Sequence, residues 1–371
     1  MSEIPLPPGE FIKTMLQERG WTQADLAQIV NRHVPAINEI IQGKRLITSE
    51  LAVDLALALG DTPETWMQRE TAYRLSLVSR DDPETRRRAR LFELAPVKEM
   101  EKRGWIKPAR NIDDLEKELC GFFNVSSLDE EPRIHASARQ TFKSDTLTSA
   151  QRAWVFRAAR LANLLNVGKF DQNAFEKSLP EIRSLAESET KTATVPGVLA
   201  ELGVRLVIVE PLPRSRIDGA AFWLDEECQE SPVIVLSVRY DRVDWFWHTL
   251  AHELIHIKYG DSRSIDTDLV GEAKIHSLDT TEERADREGA ELLVPKEKID
   301  SFIVRMKPFY SKTKILQFSQ RIGIHPGIVN GQLQHRKEIP WSANREMLTK
   351  IREILVTTTI TDGWGKSPLN H

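Results

Sequence analysis

Two histidines four residues apart, with a glutamate after the first, form the segment of this chain best suited to chemistry. The segment reads His252-Glu253-Leu254-Ile255-His256. Residues i and i+4 of a helix lie on one face about one turn apart, so both imidazoles can reach one zinc ion. Glu253 then lies beside the metal without ligating it and can take a proton from water. The pattern predicts a metal-dependent hydrolase.

A catalytic zinc needs a third protein ligand, and a second predicted helix offers carboxylates for it. Small and acidic residues recur there on one face: Glu282, Ala285, Asp286 and Gly289. Glu282 is well placed as the third ligand. Glu283, about 100° away on the helix, and Glu272, in a loop-like stretch, are the second and third choices. Asp286 can accept the N–H of a ligating imidazole and fix its tautomer.

Short β-branched segments precede these two helices. They predict strands over residues 204–210, 218–224 and 233–238. A helix from about Asp241 to Tyr259 then carries the two histidines, and the second helix runs from about Thr281 to Pro295. The remaining residues are predicted to be mostly helical. Within them, Phe318 to Leu333 has helix-turn-helix spacing, which we interpret as a helical hairpin near the cleft.

The first part of the chain predicts short helices joined by tight turns. Thr22 is placed to cap a helix, and Asn31 follows at a bend that requires a left-handed residue. A second helix is predicted from Val34 to Gln42, ended by Gly43. Leu26, Ala27, Val30, Ile37 and Ile41 are expected in the core between the two helices.

Residues 9–78 resemble the XRE-type helix-turn-helix of HigA-like antitoxins. The segments that carry the resemblance are Pro8-Gly-Glu-Phe-Ile-Lys, Thr22-Gln-Ala-Asp-Leu-Ala, Gly43-Lys-Arg-Leu-Ile-Thr and Ala58-Leu-Gly-Asp-Thr-Pro-Glu-Thr-Trp. In such a fold the second helix enters the major groove of operator DNA through its first residues. The resemblance implies base contacts from His33, Pro35, Ala36 and Asn38, and phosphate contacts from Gln23, Arg32, Lys44 and Arg45.

The charge of this part is a weak point for DNA binding. Residues 1–80 contain eight Lys and Arg against ten Asp and Glu. Phosphate neutralisation supplies much of the affinity for DNA, so a homodimer or a local basic patch would have to compensate. The alternative is that this helical domain binds a protein and not DNA. The bound protein could be the substrate of a peptidase in the same chain.

Residues 195–335 resemble the ImmA/IrrE metallopeptidases. The resemblance rests on His252-Glu-Leu-Ile-His, on Glu282-x-x-Ala-Asp-x-x-Gly-Ala-x-Leu-Leu-Val-Pro, on Asp218-Gly-Ala-Ala-Phe-Trp and on Ile324-His-Pro-Gly-Ile-Val. It implies a gluzincin-like site with His252, His256 and Glu282 as ligands and Glu253 as general base. Glu288 departs from the family, which usually has an apolar aromatic residue there.

The same resemblance implies a protein substrate. Members of the family cut or inactivate repressors, so a repressor or a toxin-system partner is expected. An extended substrate segment would add beside Gly219-Ala-Ala-Phe-Trp, taken as an edge of the sheet. Tyr259, His276 and His325 are candidates to stabilise the oxyanion. The metal is zinc or manganese, because two histidines and one carboxylate suit several divalent ions.

The composition argues against a strongly basic protein, a disulfide-rich protein and a membrane protein. With a net charge of -4 and 29% charged residues, the 371-residue chain has no global basic field. Its two cysteines, Cys120 and Cys228, cannot form a disulfide framework or a cysteine-ligated zinc site. The sequence shows no signal-peptide pattern and no apolar run near the ~18 residues of a membrane span. We expect a cytoplasmic protein without a membrane partner.

The fold expected is mainly α, with a small α+β metallopeptidase core and a five-helix helix-turn-helix domain. The predicted divisions are 1–79 for DNA binding, 80–194 for a charged linker and a helical region, 195–300 for the peptidase and 301–371 for a C-terminal helical region. The linker is the stretch from Arg80 to Arg88. The rival hypothesis is a HigA-like autorepressor whose C-terminal part is a sensor or a protein-binding module without turnover.

Overall fold

The computed structural model describes residues 6–78, 82–128, 130, 147–225, 230–261 and 280–364, together with the backbone of 263–267. The fold is mainly helical with one small sheet, as predicted. The chain divides into two compact units, Met1–Pro83 and Glu84–His371. No helix among the described residues is long and apolar enough to cross a membrane.

The described residues of the first unit form five α-helices. They are α1 (Pro8–Arg19), α2 (Gln23–Ile29), α3 (Val34–Ile41), α4 (Ser49–Leu59) and α5 (Pro63–Val78). Thr22 caps α2 in a capping box with Asp25, as the sequence predicted. Asn31 has a φ of 50° and Gly43 a φ of 72°, which confirms left-handed residues at the ends of α2 and α3.

The core of the first unit confirms the predicted helix faces. Leu26, Ala27, Val30, Ile37 and Ile41 are all buried in one hydrophobic cluster with residues of α1, α4 and α5. This packing holds α3 firmly against α2, because the apolar stripe of each helix faces the other. The first turn of α3 therefore has a fixed position relative to the rest of the unit.

The second unit contains two 3-10 helices, Leu185–Glu187 and Arg345–Met347, and the remaining described α-helices. The α-helices are α6 (Pro83–Leu94), α7 (Val97–Lys102), α8 (Ile112–Phe123), α9 (Ser149–Ala162), α10 (Gln172–Ser184), α11 (Glu189–Thr192), α12 (Val195–Glu201), α13 (Val243–Tyr259), α14 (Thr280–Leu293), α15 (Lys296–Met306), α16 (Lys312–Ile322), α17 (Pro326–His335) and α18 (Arg352–Thr358). α6 begins at Pro83, inside the stretch predicted as a linker, because proline is favoured at a first helical position and the following Glu and Arg residues favour helix. The division between the two units also falls inside that stretch. Residues 79–81 lie outside the described residues.

One five-stranded sheet lies in the second unit, in the order β4-β2-β3-β1-β5. Its strands are β1 (Arg205–Val209), β2 (Ile217–Trp223), β3 (Pro232–Leu236), β4 (Arg263–Thr267) and β5 (Thr361–Asp362). β1 is parallel to β3 and β5, whereas β2 is antiparallel to β3 and β4. The prediction that β2 is an edge was wrong, since β4 pairs with it from Phe222 to Ile217. Among the described strands, β4 and β5 form the two edges.

The sheet is covered on both faces. Leu206 and Ile208 of β1 belong to a core that includes Leu250 and Leu254 of α13. Their neighbours Val207 and Val209 belong to a second core, formed with α8 and α9. Alternate residues of a strand face opposite sides, so burial on both sides explains why β1, β2 and β3 read as continuous apolar runs.

The C-terminal part of this unit packs on the helix that carries the histidines. α16 and α17 are joined at Gly323, with a φ of 65°, and form the predicted helical hairpin. Ile328 and Leu333 of α17 share a core with α13. The predicted division of residues 80–371 into three parts stays a prediction. The two hydrophobic cores of this unit both include residues from more than one of these parts.

Candidate metal centre

α13 places the two histidines and their glutamate in the interior of the second unit. The helix packs on β2, β3, α14 and α17, and it ends at Gly260, which has a φ of 64°. His252, Glu253 and His256 are at most 1% exposed. Buried imidazoles and a buried carboxylate are costly to desolvate, so their presence in a core indicates a functional requirement.

Glu282 of α14 completes a cluster of three potential ligands. Its carboxylate lies 3.1 Å from Nε2 of His252 and 3.6 Å from Nε2 of His256. The two Nε2 atoms lie 2.9 Å apart. All three ligand atoms lie within 4.8 Å of one another. Ligands at about 2.1 Å from a tetrahedral ion are about 3.4 Å apart, so the donor types and spacing fit a divalent metal ion.

Each imidazole is oriented by a carboxylate at its other nitrogen. Nδ1 of His252 lies 3.0 Å from Oδ1 of Asp286, and Nδ1 of His256 lies 2.9 Å from Oδ2 of Asp261. An ionised carboxylate only accepts hydrogen bonds, so each Nδ1–H donates to it. In that tautomer both Nε2 lone pairs are directed into the cluster, which is the state required of a metal ligand.

Two small residues of α14 allow the close approach to α13. Ala285 is fully buried, and a β-carbon at Gly289 would lie 3.0 Å from the main-chain nitrogen of His252. Glu282 and Asp286, one turn apart on the same face, are brought to His252 by this contact. Glu283 is exposed, outside the cluster. Glu272 lies outside the described residues.

Glu253 points toward the sheet. A β-carbon at Gly219 of β2 would lie 2.6 Å from Oε1 of Glu253, so the carboxylate occupies the space that this glycine leaves.

The centre is open on one side, because the side chain of Glu282 is 37% exposed. Solvent can therefore reach the Glu282 carboxylate.

The residues predicted to contact DNA lie in the first unit, around α2 and α3. Gln23 and Ala36 are half-buried, and the exposed members are Arg32, His33, Pro35, Asn38, Lys44 and Arg45. Arg32 lies 3.4 Å from Asp54 of α4. Arg45 lies 3.6 Å from Glu39. These pairs are exposed and worth little, so a phosphate can replace the carboxylate as partner.

Comparison with known proteins assigns both parts of the chain. A helix-turn-helix family profile matches residues 12–67 and an IrrE N-terminal-like domain profile matches residues 200–333. "Antitoxin HigA-1" of Vibrio cholerae is 35% identical over 72 residues, which are 19% of this chain and 68% of that protein. The chain belongs to the XRE-type helix-turn-helix family and carries an IrrE-like peptidase domain.

Further relatives of this XRE-type protein match the same N-terminal part. "Virulence-associated protein I" of Dichelobacter nodosus is 30% identical over 82 residues, 22% of this chain and 76% of that protein. The solved structure of "antitoxin GraA" is 29% identical, covers 20% of this chain and 81% of that chain, and has a TM-score of 0.19.

The departure at Glu288 has a structural explanation in this IrrE-like domain. The Glu288 carboxylate accepts hydrogen bonds from the Tyr259 hydroxyl at 2.9 Å and from Lys258 at 3.0 Å. Burial disfavours the charged form of Glu288, but these two bonds outweigh it and lower its pKa. A polar link between α13 and α14 thus stands where an aromatic contact was expected.

The candidates for the oxyanion have other partners. The Tyr259 hydroxyl donates to Glu288, as described above, and His325 caps α17 and lies 3.4 Å from Glu189. Burial lowers the pKa of His325 against the attraction of Glu189, which favours the neutral ring. His276 lies outside the described residues.

Sequence reasoning missed Asp261. It follows the helix-ending Gly260, whose left-handed conformation turns the chain back along α13, and its N–H donates to the His256 carbonyl at 3.0 Å. The sequence feature that could have indicated this contact is an aspartate directly after a helix-ending glycine. Such a residue lies within reach of His256, in the last turn of α13.

Proposed function

We propose that this chain is a DNA-binding transcriptional regulator of the cytoplasm whose IrrE-like domain is a zinc- or manganese-dependent endopeptidase. Its substrate is a repressor or a toxin-system partner protein. The convergence of His252, His256 and Glu282 on one point, within 4.8 Å, carries the proposal. The IrrE-like profile match over residues 200–333 supports it.

The proposed ligands are His252, His256 and Glu282, and Asp286 holds the His252 ring through Nδ1. The chemistry that a divalent ion supplies at such a site is Lewis acidity, which polarises a peptide carbonyl and makes water nucleophilic near neutral pH. As metal ligands, the two imidazoles are neutral and the carboxylate carries one negative charge. The ligand set therefore has a net negative charge, which attracts a cation.

Glu253 is proposed as the general base. It follows His252 on α13 and cannot point in the same direction, so it stands beside the ligand cluster. The Glu253 side chain is fully buried. It takes a proton from the attacking water and delivers it to the amine that leaves when the peptide bond breaks. Gly219 provides the space in which this carboxylate sits.

DNA binding is proposed for α3 and the turns around it. His33 is the N-cap of α3, and Pro35, Ala36 and Asn38 lie within its first five residues. The N-terminal part of a recognition helix is the part that enters the major groove. Gln23, Arg32, Lys44 and Arg45 flank it and are proposed to contact phosphates. The relationship to "Antitoxin HigA-1" supports an operator as the target and a toxin system as the context.

A homodimer through α4 and α5 is proposed to compensate for the low positive charge of the first unit. A groove of about 650 Å³ between these helices is lined by Ser49, Val53, Pro63, Glu64, Met67, Gln68, Thr71, Ala72 and Leu75. Leu75 is 65% exposed and Leu57 is 83% exposed. An exposed apolar surface of this kind favours self-association, which would double the phosphate contacts on a palindromic site.

The test of the peptidase uses the Glu253→Gln variant in cells that also carry a reporter driven by the chain's own promoter. We expect the parent to generate new protein N-termini, detected by mass spectrometry, and to derepress the reporter. Glu253→Gln should retain its metal and lose both activities, whereas His256→Ala should lose the metal as well. Glu283→Gln, an exposed neighbour on α14, is the control and should behave as the parent.

The outcomes separate the rival functions. A sensor without turnover tolerates Glu253→Gln but not His256→Ala, so an unchanged reporter in the Glu253 variant would overturn the peptidase. Footprinting of the promoter tests the DNA-binding part independently. If the first unit only binds a protein substrate, the promoter DNA should show no protected region.

A further inference from the structure

The orientation of His256 depends on a group of residues outside the ligand set. Oδ2 of Asp261 lies 2.9 Å from Nδ1 of His256. The guanidinium of Arg284 contacts both oxygens of the same carboxylate, at 2.7 and 2.6 Å. The side chains of His256, Asp261 and Arg284 are 0%, 16% and 26% exposed, so these contacts are protected from solvent competition.

The backbone of Asp261 is fixed as firmly as its side chain. Its N–H donates to the carbonyl of His256 at 3.0 Å, and its own carbonyl accepts from the indole of Trp223 at 3.2 Å. Asp261 therefore connects the last turn of α13 to β2. Because Asp261 is held by α13, by β2 and by Arg284, its carboxylate can fix the orientation of the His256 imidazole.

Arg284 relates this residue to the third ligand. It stands two residues after Glu282 on α14, so α14 supplies both the carboxylate of the ligand cluster and the cation that holds Asp261. Tyr259 supports the guanidinium from its ring face, at 4.0 Å.

We propose that Asp261 is the positioning residue for His256 and that Arg284 couples it to Glu282, so that docking of α14 orients one ligand and supplies another in a single step. The inference rests on the proposed metal centre and extends it to two residues beyond the ligands. Asp286 lies on α14 and orients His252 by a direct hydrogen bond. Asp261 lies in the turn after α13 and orients His256, and Arg284 connects it to α14.

The experiment measures zinc affinity of the full-length chain by chelator competition, in the parent and in Asp261→Asn, Asp261→Ala and Arg284→Gln. Loss of a group that orients a ligating histidine typically weakens metal binding about 10–100-fold. We expect that loss for Asp261→Ala, with smaller losses for Asp261→Asn, which keeps an acceptor oxygen, and for Arg284→Gln. The visible spectrum of the cobalt-loaded protein should change in the same order.

The matched control is Glu288→Gln. It removes an ion pair between α13 and α14, from Lys258 to Glu288 at 3.0 Å, and touches no ligand. A merely structural role of Asp261 would lower the melting temperature of the metal-free protein and leave zinc affinity and the cobalt spectrum equal to those of Glu288→Gln. That result overturns the inference alone. A parent chain that binds no zinc overturns the proposed function as well.

Discussion

The main-chain nitrogen of His252 lies 3.0 Å from the position that a β-carbon would take at Gly289. Real β-carbons are rarely found so close to a neighbour, so α14 approaches α13 at this point only because residue 289 is glycine. The contact brings Glu282 and Asp286 to His252, so the proposed metal centre depends on it.

Replacement of Gly289 by alanine should therefore separate the two helices. We expect a loss of about 1–3 kcal/mol in the free energy of unfolding, the usual cost of overpacking, together with weaker zinc binding as Glu282 moves away. Urea unfolding and chelator competition measure the two effects. Gly121→Ala in α8 is the control, since a β-carbon there meets nothing within 4 Å. It should be neutral or stabilising by up to about 1 kcal/mol.

The choice of the third ligand gives a second prediction. Glu282→Ala should reduce bound zinc or manganese from near one per chain to near none, because two histidines alone leave the ion with too few protein ligands. Glu283→Ala should keep the metal, since that side chain is exposed and outside the cluster. Elemental analysis of the purified proteins decides. Equal metal in the two variants would remove Glu282 from the ligand set.

The features of the centre that follow from helical periodicity could be predicted from the sequence. His252 and His256 at i and i+4, and Glu282 and Asp286 at i and i+4 on a second helix, fix which side chains share a face. Ala285 and Gly289, small residues on the same face as Glu282, are what a close approach of the two helices requires. These inferences needed only the geometry within each helix and one contact between them.

The errors arose where tertiary contacts decide the structure. β4 has no apolar alternation in its sequence and forms because β2 offers a free edge, so local pattern did not reveal it. β5 has only two residues, too few for any pattern. Asp261 lies in a turn whose path depends on the left-handed Gly260. An extended segment added at that edge of the sheet would therefore pair with β4, not with β2.

The proposed homodimer predicts that a charge in the α4–α5 groove separates the subunits. Leu75→Glu places a carboxylate in an apolar surface that would be buried between two copies, where an unpaired charge is costly. Sedimentation should show a monomer for the variant and a dimer for the parent. Leu164→Glu, at another exposed leucine, should leave the dimer intact. A dimeric Leu75→Glu variant would place the interface elsewhere.

Arg32 provides a test of the proposed DNA surface. Its ion pairs with Asp54 and Glu50, at 3.4 and 3.8 Å, join exposed groups that a phosphate can displace. Arg32→Ala should weaken binding to the operator and reduce the slope of log affinity against log salt by about one. Lys13→Ala, an exposed cation on α1 outside the proposed surface, should leave both unchanged. Fluorescence anisotropy at several salt concentrations measures the difference.

His248, one turn before His252 on α13, predicts a pH dependence of stability. Burial, together with the nearby His335 and His252, lowers its pKa to about 4 against the attraction of Asp286. In the unfolded chain a histidine titrates near 6.5, so below that pH the unfolded state binds the proton first. The stabilisation from neutral His248 is therefore complete above about pH 6.5 and is lost as the pH falls toward 4, by up to about 3 kcal/mol.

The measurement is urea unfolding of the metal-free chain at several pH values, for the parent and for His248→Gln. Glutamine carries no charge at any of them, so the variant should lose less stability between pH 7 and pH 4.5. The histidines of the centre also take up protons in this range, but both proteins contain them, and the difference between the two curves isolates His248. Parallel curves would mean that His248 is solvated in the folded chain, in which case the contact of its ring with His335, at 5.7 Å between centroids, does not exclude water.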